Sequence, residues 1–141
     1  MMAVIFYFSS RPGPESDVDS MTIGRIIGEV VVPGFEEMDA SAQLEFVSNI
    51  NHAVRKTAHF LEYAILAALI TGALFDEDKK LGRLFIQAVL IAALYAASDE
   101  YHQTFVPGRA GKISDVMIDS AGALCGAAIV TAILRRRLKE T

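Results

Sequence analysis

The sequence predicts an all-α, polytopic membrane protein: a four-helix transmembrane bundle carrying short extracytoplasmic amphipathic helices. Three observations predict it. The 141-residue chain is 52% hydrophobic with a mean hydropathy of +0.37, high for a soluble domain. Leu84–Ala97 and Val116–Leu134 are apolar runs on the scale of the ~20 residues that a helix needs to cross hydrocarbon. Between them, Ser98–Asp119 gathers Asp99, Glu100, His102, Gln103, Arg109, Lys112, Asp115 and Asp119. Ionisable groups at the ends of membrane-length segments are costly, so they mark a site.

Composition narrows the class further. The length fits one domain. The one cysteine, Cys125, lies inside an apolar run, so no intrachain disulfide forms and redox compartment is not legible. A net charge of −4 argues against nucleic acid as a partner.

Along the chain, Met1–Phe8 is apolar but too short to span, and it lacks the basic flank of a signal peptide. It reads as the end of a first transmembrane helix, about residues 1–9. Ser9 to Pro14 then breaks any helix. The outer region, about 15–54, holds two amphipathic segments. Met21–Val32 sets Ile23, Ile26, Ile27 and Val30 at helical spacing and stops at Pro33-Gly34. Ser41 reads as an N-cap, and Ala42–Val54 aligns Leu44, Val47, Ile50 and Val54 on one stripe. Both segments fit a membrane interface or a protein surface.

Three spans complete the bundle, at about 57–75, 82–103 and 115–135. Thr57–Phe75 carries His59 and Glu62 near its start. Asp76–Gly82 is a charged hairpin. The last span runs directly into Arg135-Arg136-Arg137 and Lys139. Tyr63, Tyr95 and Tyr101 read as interfacial anchors. The basic residues of the hairpin (Lys79, Lys80, Arg83) and of the tail place both on the cytoplasmic side, with both termini inside. Arg55, Lys56, Arg109 and Lys112 then fall outside, against the charge rule, and are candidates to hold an anion.

This topology brings the polar residues to one level. Lys56, His59 and Glu62 fall at i, i+3 and i+6 on one broad helical face, and Asp99, His102 and Gln103 on another. Asp115 and Asp119 begin a stripe that continues through Gly122 and Gly126. That small-xxx-small surface lets a second helix backbone approach closely, so the aspartates face the bundle.

Three ordered motifs carry a family resemblance: Lys56-x-x-His59-Phe60-x-Glu62-Tyr63, then Asp99-Glu100-x-His102-Gln103-x-Phe105-Val106-Pro107-Gly108-Arg109, then Asp115-Val116-x-x-Asp119-x-x-Gly122. Together with Ile5-Phe6-x-Phe8-Ser9-Ser10, they make nearly the whole chain resemble the VanZ-like family of small bacterial membrane proteins. The family takes its name from a member associated with resistance to the glycopeptide teicoplanin. The resemblance implies a multi-pass membrane fold, a cell-envelope setting and a polar site, and it implies no particular reaction. It ranks Asp119 behind Asp115, because the family pattern often has Asn at that position.

The candidate site residues are Lys56, His59, Glu62, Asp99, Glu100, Gln103, Arg109 and Asp115. Imidazole and carboxylates in this number suit a divalent metal. They equally suit metal-free acid–base work with His59 as base, or an ion-pair network that pins three helices together. Lys56 and Arg109 suit the phosphate of a lipid. Neither Ser98 nor Ser114 has a context that marks a nucleophile. The expected function is modification or hydrolysis of a lipid-linked or cell-wall substrate in an outward pocket. The alternative is a binding or transport protein for an envelope component or glycopeptide.

Overall fold

The computed structural model describes residues 1–76 and 80–140, so the expectation for Lys79 lies outside the described residues. Five α-helices and one short 3-10 turn follow in order: α1 (Met2–Ser9), α2 (Gly13–Val31), the turn Phe35–Glu37, α3 (Ala40–Ala73), α4 (Leu81–Gln103) and α5 (Ile113–Glu140). No strand occurs among the described residues. Two helices, α4 with 23 residues and α5 with 28, are long and apolar enough to cross a membrane.

The break after Ser9 is shorter than its prolines predict. Pro14 falls in the first turn of α2, where a missing N–H leaves no bond unmade. The Gly13 amide donates to Pro107 O at 3.0 Å, and a Cβ at Gly13 would lie 2.2 Å from Gly108 O. Only glycine allows that contact, which ties the α1–α2 corner to the loop between α4 and α5.

The two outer amphipathic segments have different fates. The first is part of α2. The second is not a separate helix: Ala42–Val54 and Thr57–Phe75 form one 34-residue rod, α3, about 50 Å long. Neither Gly nor Pro lies between Ala40 and Ile70, so nothing ends the helix at Arg55-Lys56. Its N-cap is Asp39, not Ser41. The Asp39 carboxylate accepts from the amides of Ser41 and Ala42 at 3.0 and 2.9 Å and from the Ser41 hydroxyl. These bonds, the Ser41 hydroxyl foremost, hold its carboxyl below the usual carboxylate range. Helix α2 folds back along the first half of α3. Buried Phe35 closes the hairpin, edge-on to Phe46 and against Gly28, where a Cβ would lie 2.6 Å from its ring.

Helices α3, α4 and α5 form the bundle, and its packing inverts the soluble pattern. The core is built of small residues: Ala67, Ala88, Ala92, Ala96, Ala123 and Ala127. The large apolar side chains, including Leu61, Ile65, Leu69, Leu90, Leu94, Ile129 and Ile133, point outward and are exposed. At Gly122 a Cβ would stand 2.1 Å from Phe60 O, and at Gly126 1.9 Å from Ala64 O. The backbones of α3 and α5 therefore touch along this stripe, as the glycine spacing predicts. Tyr63 departs from its expected role as an interfacial anchor: it is fully buried in the core, its ring centroid 6.2 Å from that of Tyr95. Tyr63 turns inward because it shares the buried face of α3 with Leu66 and Ala67, at i+3 and i+4.

Candidate functional site

The polar end of the bundle is built from the second third of α3, the C-terminal turns of α4, the loop 104–112 and the first turns of α5. The loop is shaped by Pro107-Gly108. The Arg109 amide donates to Val106 O at 3.1 Å, and Gly108 has φ 74°, so the four residues make a turn with glycine in the left-handed position. That turn sends the Arg109 side chain back over the bundle. Its guanidinium donates to Arg11 O at 2.9 Å, Phe8 O at 3.0 Å and Gln103 Oε1 at 3.3 Å. Burial, and then Arg55, hold the Arg109 group below its ordinary value. Two backbone carbonyls of the α1–α2 corner thus have this cation as their partner.

Gln103 is the hub beneath it. Its amide donates to Asp99 Oδ2 and to Glu100 Oε1, each at 3.2 Å, while its carbonyl accepts from Arg109. Glu100 also accepts the Lys112 amide at 2.8 Å, which anchors the far end of the loop. Asp99, Glu100 and Gln103 are all buried. His102 does not share their face. It leaves the cluster and packs on Phe6 of α1, with ring centroids 4.8 Å apart.

The α3–α5 seam supplies the rest. Lys56 pairs with Asp115 at 3.4 Å near the rim, both half-buried. One turn deeper, His59 Nδ1 lies 3.7 Å from Asp119 Oδ1. Asp119 is fully buried and neither of its oxygens has a hydrogen-bond donor. The same is true of Asp99 Oδ1, and the Tyr63 hydroxyl and His59 Nδ1 are buried without a partner. Ligand atoms of His59, Glu100 and Asp119 all lie within 4.8 Å of one another, the one group among the described residues with the makings of a metal centre.

Two cavities meet at these residues. One, of about 450 Å³, is polar and includes Arg55, Lys56, His59, Gln103, Arg109, Asp115 and Asp119 in its wall. The other, of about 350 Å³, runs under α1 and α2 past Ile5, Phe8, Ile23, Val54 and Ala58 to Glu62 and Asp99. His59, Arg55 and Arg109 stand in both walls. All eight candidates from the sequence therefore lie at one end of the bundle. Lys56, His59, Gln103, Arg109 and Asp115 line the first cavity, Glu62 and Asp99 the second, and Glu100 lies behind Gln103.

Asp119 stands at the centre of this end, although the sequence ranks it behind Asp115. Ser48 and His52 also line the polar cavity and the sequence does not single them out, while Arg55, one of the expected anion-holding cations, joins them there. Their spacing to His59, at i, i+4, i+7 and i+11, is one helical stripe. It was legible once Ala42–Val54 and Thr57–Phe75 were read as one helix.

A family model described as VanZ/LLP1 matches residues 1–135. No curated protein matches the chain. No solved structure matches it.

Proposed function

The chain belongs to the VanZ/LLP1 family, and from that premise we propose that it is a multi-pass membrane protein that modifies or hydrolyses an amphiphilic cell-envelope substrate. The carrying observation is the pair of cavities that share His59, Arg55 and Arg109. One is polar and rimmed by cations; the other carries an apolar patch of Ile5, Phe8, Ile23, Val54 and Ala58 in a wall that also holds Arg11, Asp19, Glu62 and Asp99. A lipid-linked substrate has the same division, an anionic head and a hydrocarbon tail. Lys56 and Arg55 meet the head as point charge and planar fork. His59 stands in both cavity walls with Asp119 3.7 Å from its Nδ1, placing these two groups beside the bond between head and tail.

The inside-out packing supports the membrane setting. An outer surface of leucine and isoleucine over an alanine core suits lipid and would be an aggregation hazard in water. On this reading the apolar half of α3 and the short α1 join α4 and α5 in the bilayer. The polar end faces outward, and both termini are cytoplasmic. Among the described residues the core beyond the site is apolar apart from Thr71, which bonds its own helix at Ala67 O, and the buried Thr131 hydroxyl. That favours an enclosed site over a conducting path. The family's namesake further links the protein to teicoplanin resistance.

The test is binding and turnover in lipid nanodiscs, with a polyprenyl phosphate-linked sugar as probe and the free sugar phosphate as comparison. The amphiphile should bind at least tenfold more tightly than its headgroup. Lys56→Gln should weaken binding, and His59→Ala should retain binding and lose turnover. Equal affinity for the two probes, or none for either, would overturn the proposal. Labelling of an Ala110→Cys variant from the cytoplasmic side alone would overturn the orientation.

A further inference from the structure

We propose that His59, Glu100 and Asp119 form a binding site for a divalent transition-metal ion of the zinc class. The site is independent of which substrate the cavities accept, because it stands on the three side chains alone.

The first ground is a buried carboxyl group with no partner. Asp119 is 0% exposed, and neither carboxylate oxygen receives a hydrogen bond. A carboxylate in that position carries a large desolvation penalty unless a cation joins it. The nearby protein cations are committed elsewhere. Lys56 pairs with Asp115, Arg55 with Asp17, and Arg109 spends its donors on two backbone carbonyls and Gln103.

The second ground is spacing. His59 Nδ1 and Asp119 Oδ1 are 3.7 Å apart, too far for a hydrogen bond. An ion about 2.1 Å from each of two tetrahedral ligands holds those ligands about 3.4 Å apart. The pair thus has the separation of two ligands to one ion, with the imidazole nitrogen left unbonded to offer its lone pair. Glu100 completes the set, its ligand atom within 4.8 Å of the others, and closes on the ion by a side-chain shift of up to about 1.4 Å. Gln103 and the Lys112 amide hold that carboxylate from behind, as outer partners orient metal ligands elsewhere.

The third ground is the donor set. One imidazole and two carboxylates neutralise a divalent ion, and three protein ligands leave a coordination position open. His59 and Asp119 line the polar cavity, so the open position faces it. Imidazole favours zinc and its neighbours over magnesium and calcium, which take all-oxygen sites.

The test is equilibrium dialysis of the untagged, detergent-solubilised full chain against zinc, with metal counted by mass spectrometry. The expected result is one zinc per chain, retained in a large excess of magnesium. His59→Ala and Asp119→Asn should each weaken binding at least tenfold, whereas His52→Ala, in the same cavity wall but outside the triad, should not. If either triad variant fails to fold, X-ray absorption of the zinc-loaded wild type decides: one imidazole among nitrogen and oxygen ligands near 2.0–2.1 Å supports the site. No stoichiometric zinc, displacement by magnesium, equal loss with His52→Ala, or sulfur ligation would each overturn it.

Discussion

Gly126 gives the sharpest mechanical prediction. A Cβ placed there lies 1.9 Å from Ala64 O and 2.9 Å from Ala64 Cα. Ordinary contact begins near 3.4 Å, so α3 and α5 must part locally by about 1.5 Å (3.4 − 1.9) to admit a single methyl group. A gap of 0.5–1 Å already forfeits roughly a quarter to a half of each dispersion contact. The seam also loses its close Cα–H···O approaches, worth roughly 0.5–1 kcal/mol each. With overpacking typically costing about 1–3 kcal/mol, Gly126→Ala should destabilise the protein by about 3 kcal/mol, against its gain in helix propensity. At roughly 4 °C per kcal/mol for a chain of this size, the midpoint in a detergent thermal melt should fall by roughly 10 °C. Gly72, in the same bundle, has nothing within 4 Å of its Cβ position. Gly72→Ala should therefore be neutral or stabilising, by up to about 1 kcal/mol. Equal melting of the Gly126→Ala and wild-type proteins would refute close α3–α5 packing and the convergence that depends on it.

Two further perturbations probe the scaffold. Arg109→Lys keeps the charge but cannot serve three acceptors in one plane. It should cost about 2 kcal/mol and speed amide exchange across residues 104–112; unchanged exchange would show that the loop is held otherwise. Asp39 has a depressed folded-state pKa, so the unfolded chain binds more protons as pH falls. Its contribution is present above the unfolded carboxylate value near 4 and is lost as pH drops through the folded one. Asp39→Ala should flatten the acid limb of a pH–melting curve, and an unaltered limb would exclude the cap as its source.

The helical class, two of the four expected membrane-length helices and the end of the bundle that carries the polar groups could be read from period and composition. Gly122 and Gly126 were legible because small residues at that spacing have one main use in lipid. Other features depended on three-dimensional competition. The Arg55-Lys56 junction looked like a boundary because charge rises there, yet polarity does not end a helix and no breaker was present. Ser41 and Asp39 are both good caps, and only the backbone turn decides between them. Tyr63 has the amphipathic character of an interface residue, and the crossing of α3 over α5 buried it instead. Asp119 ranked below Asp115 because the family pattern often has Asn there, and sequence does not say which of two carboxylates, one turn apart, lies deeper. In the fold Asp115 meets Lys56 at the rim and Asp119 lies 3.7 Å from His59 Nδ1, with no hydrogen-bond donor.

The most direct measurement is the paired effect of Asp119→Asn on stability and on cellular phenotype. Asn keeps the shape and removes a buried carboxyl group whose oxygens have no hydrogen-bond donor. If the polar end is a functional site, the variant should melt at or above the wild-type temperature while losing the cellular phenotype that a deletion strain loses. If Asp119 instead belongs to a network whose task is to hold the helices together, Asp119→Asn will melt several degrees lower, with phenotype falling only as folded protein falls. That result would contradict the account.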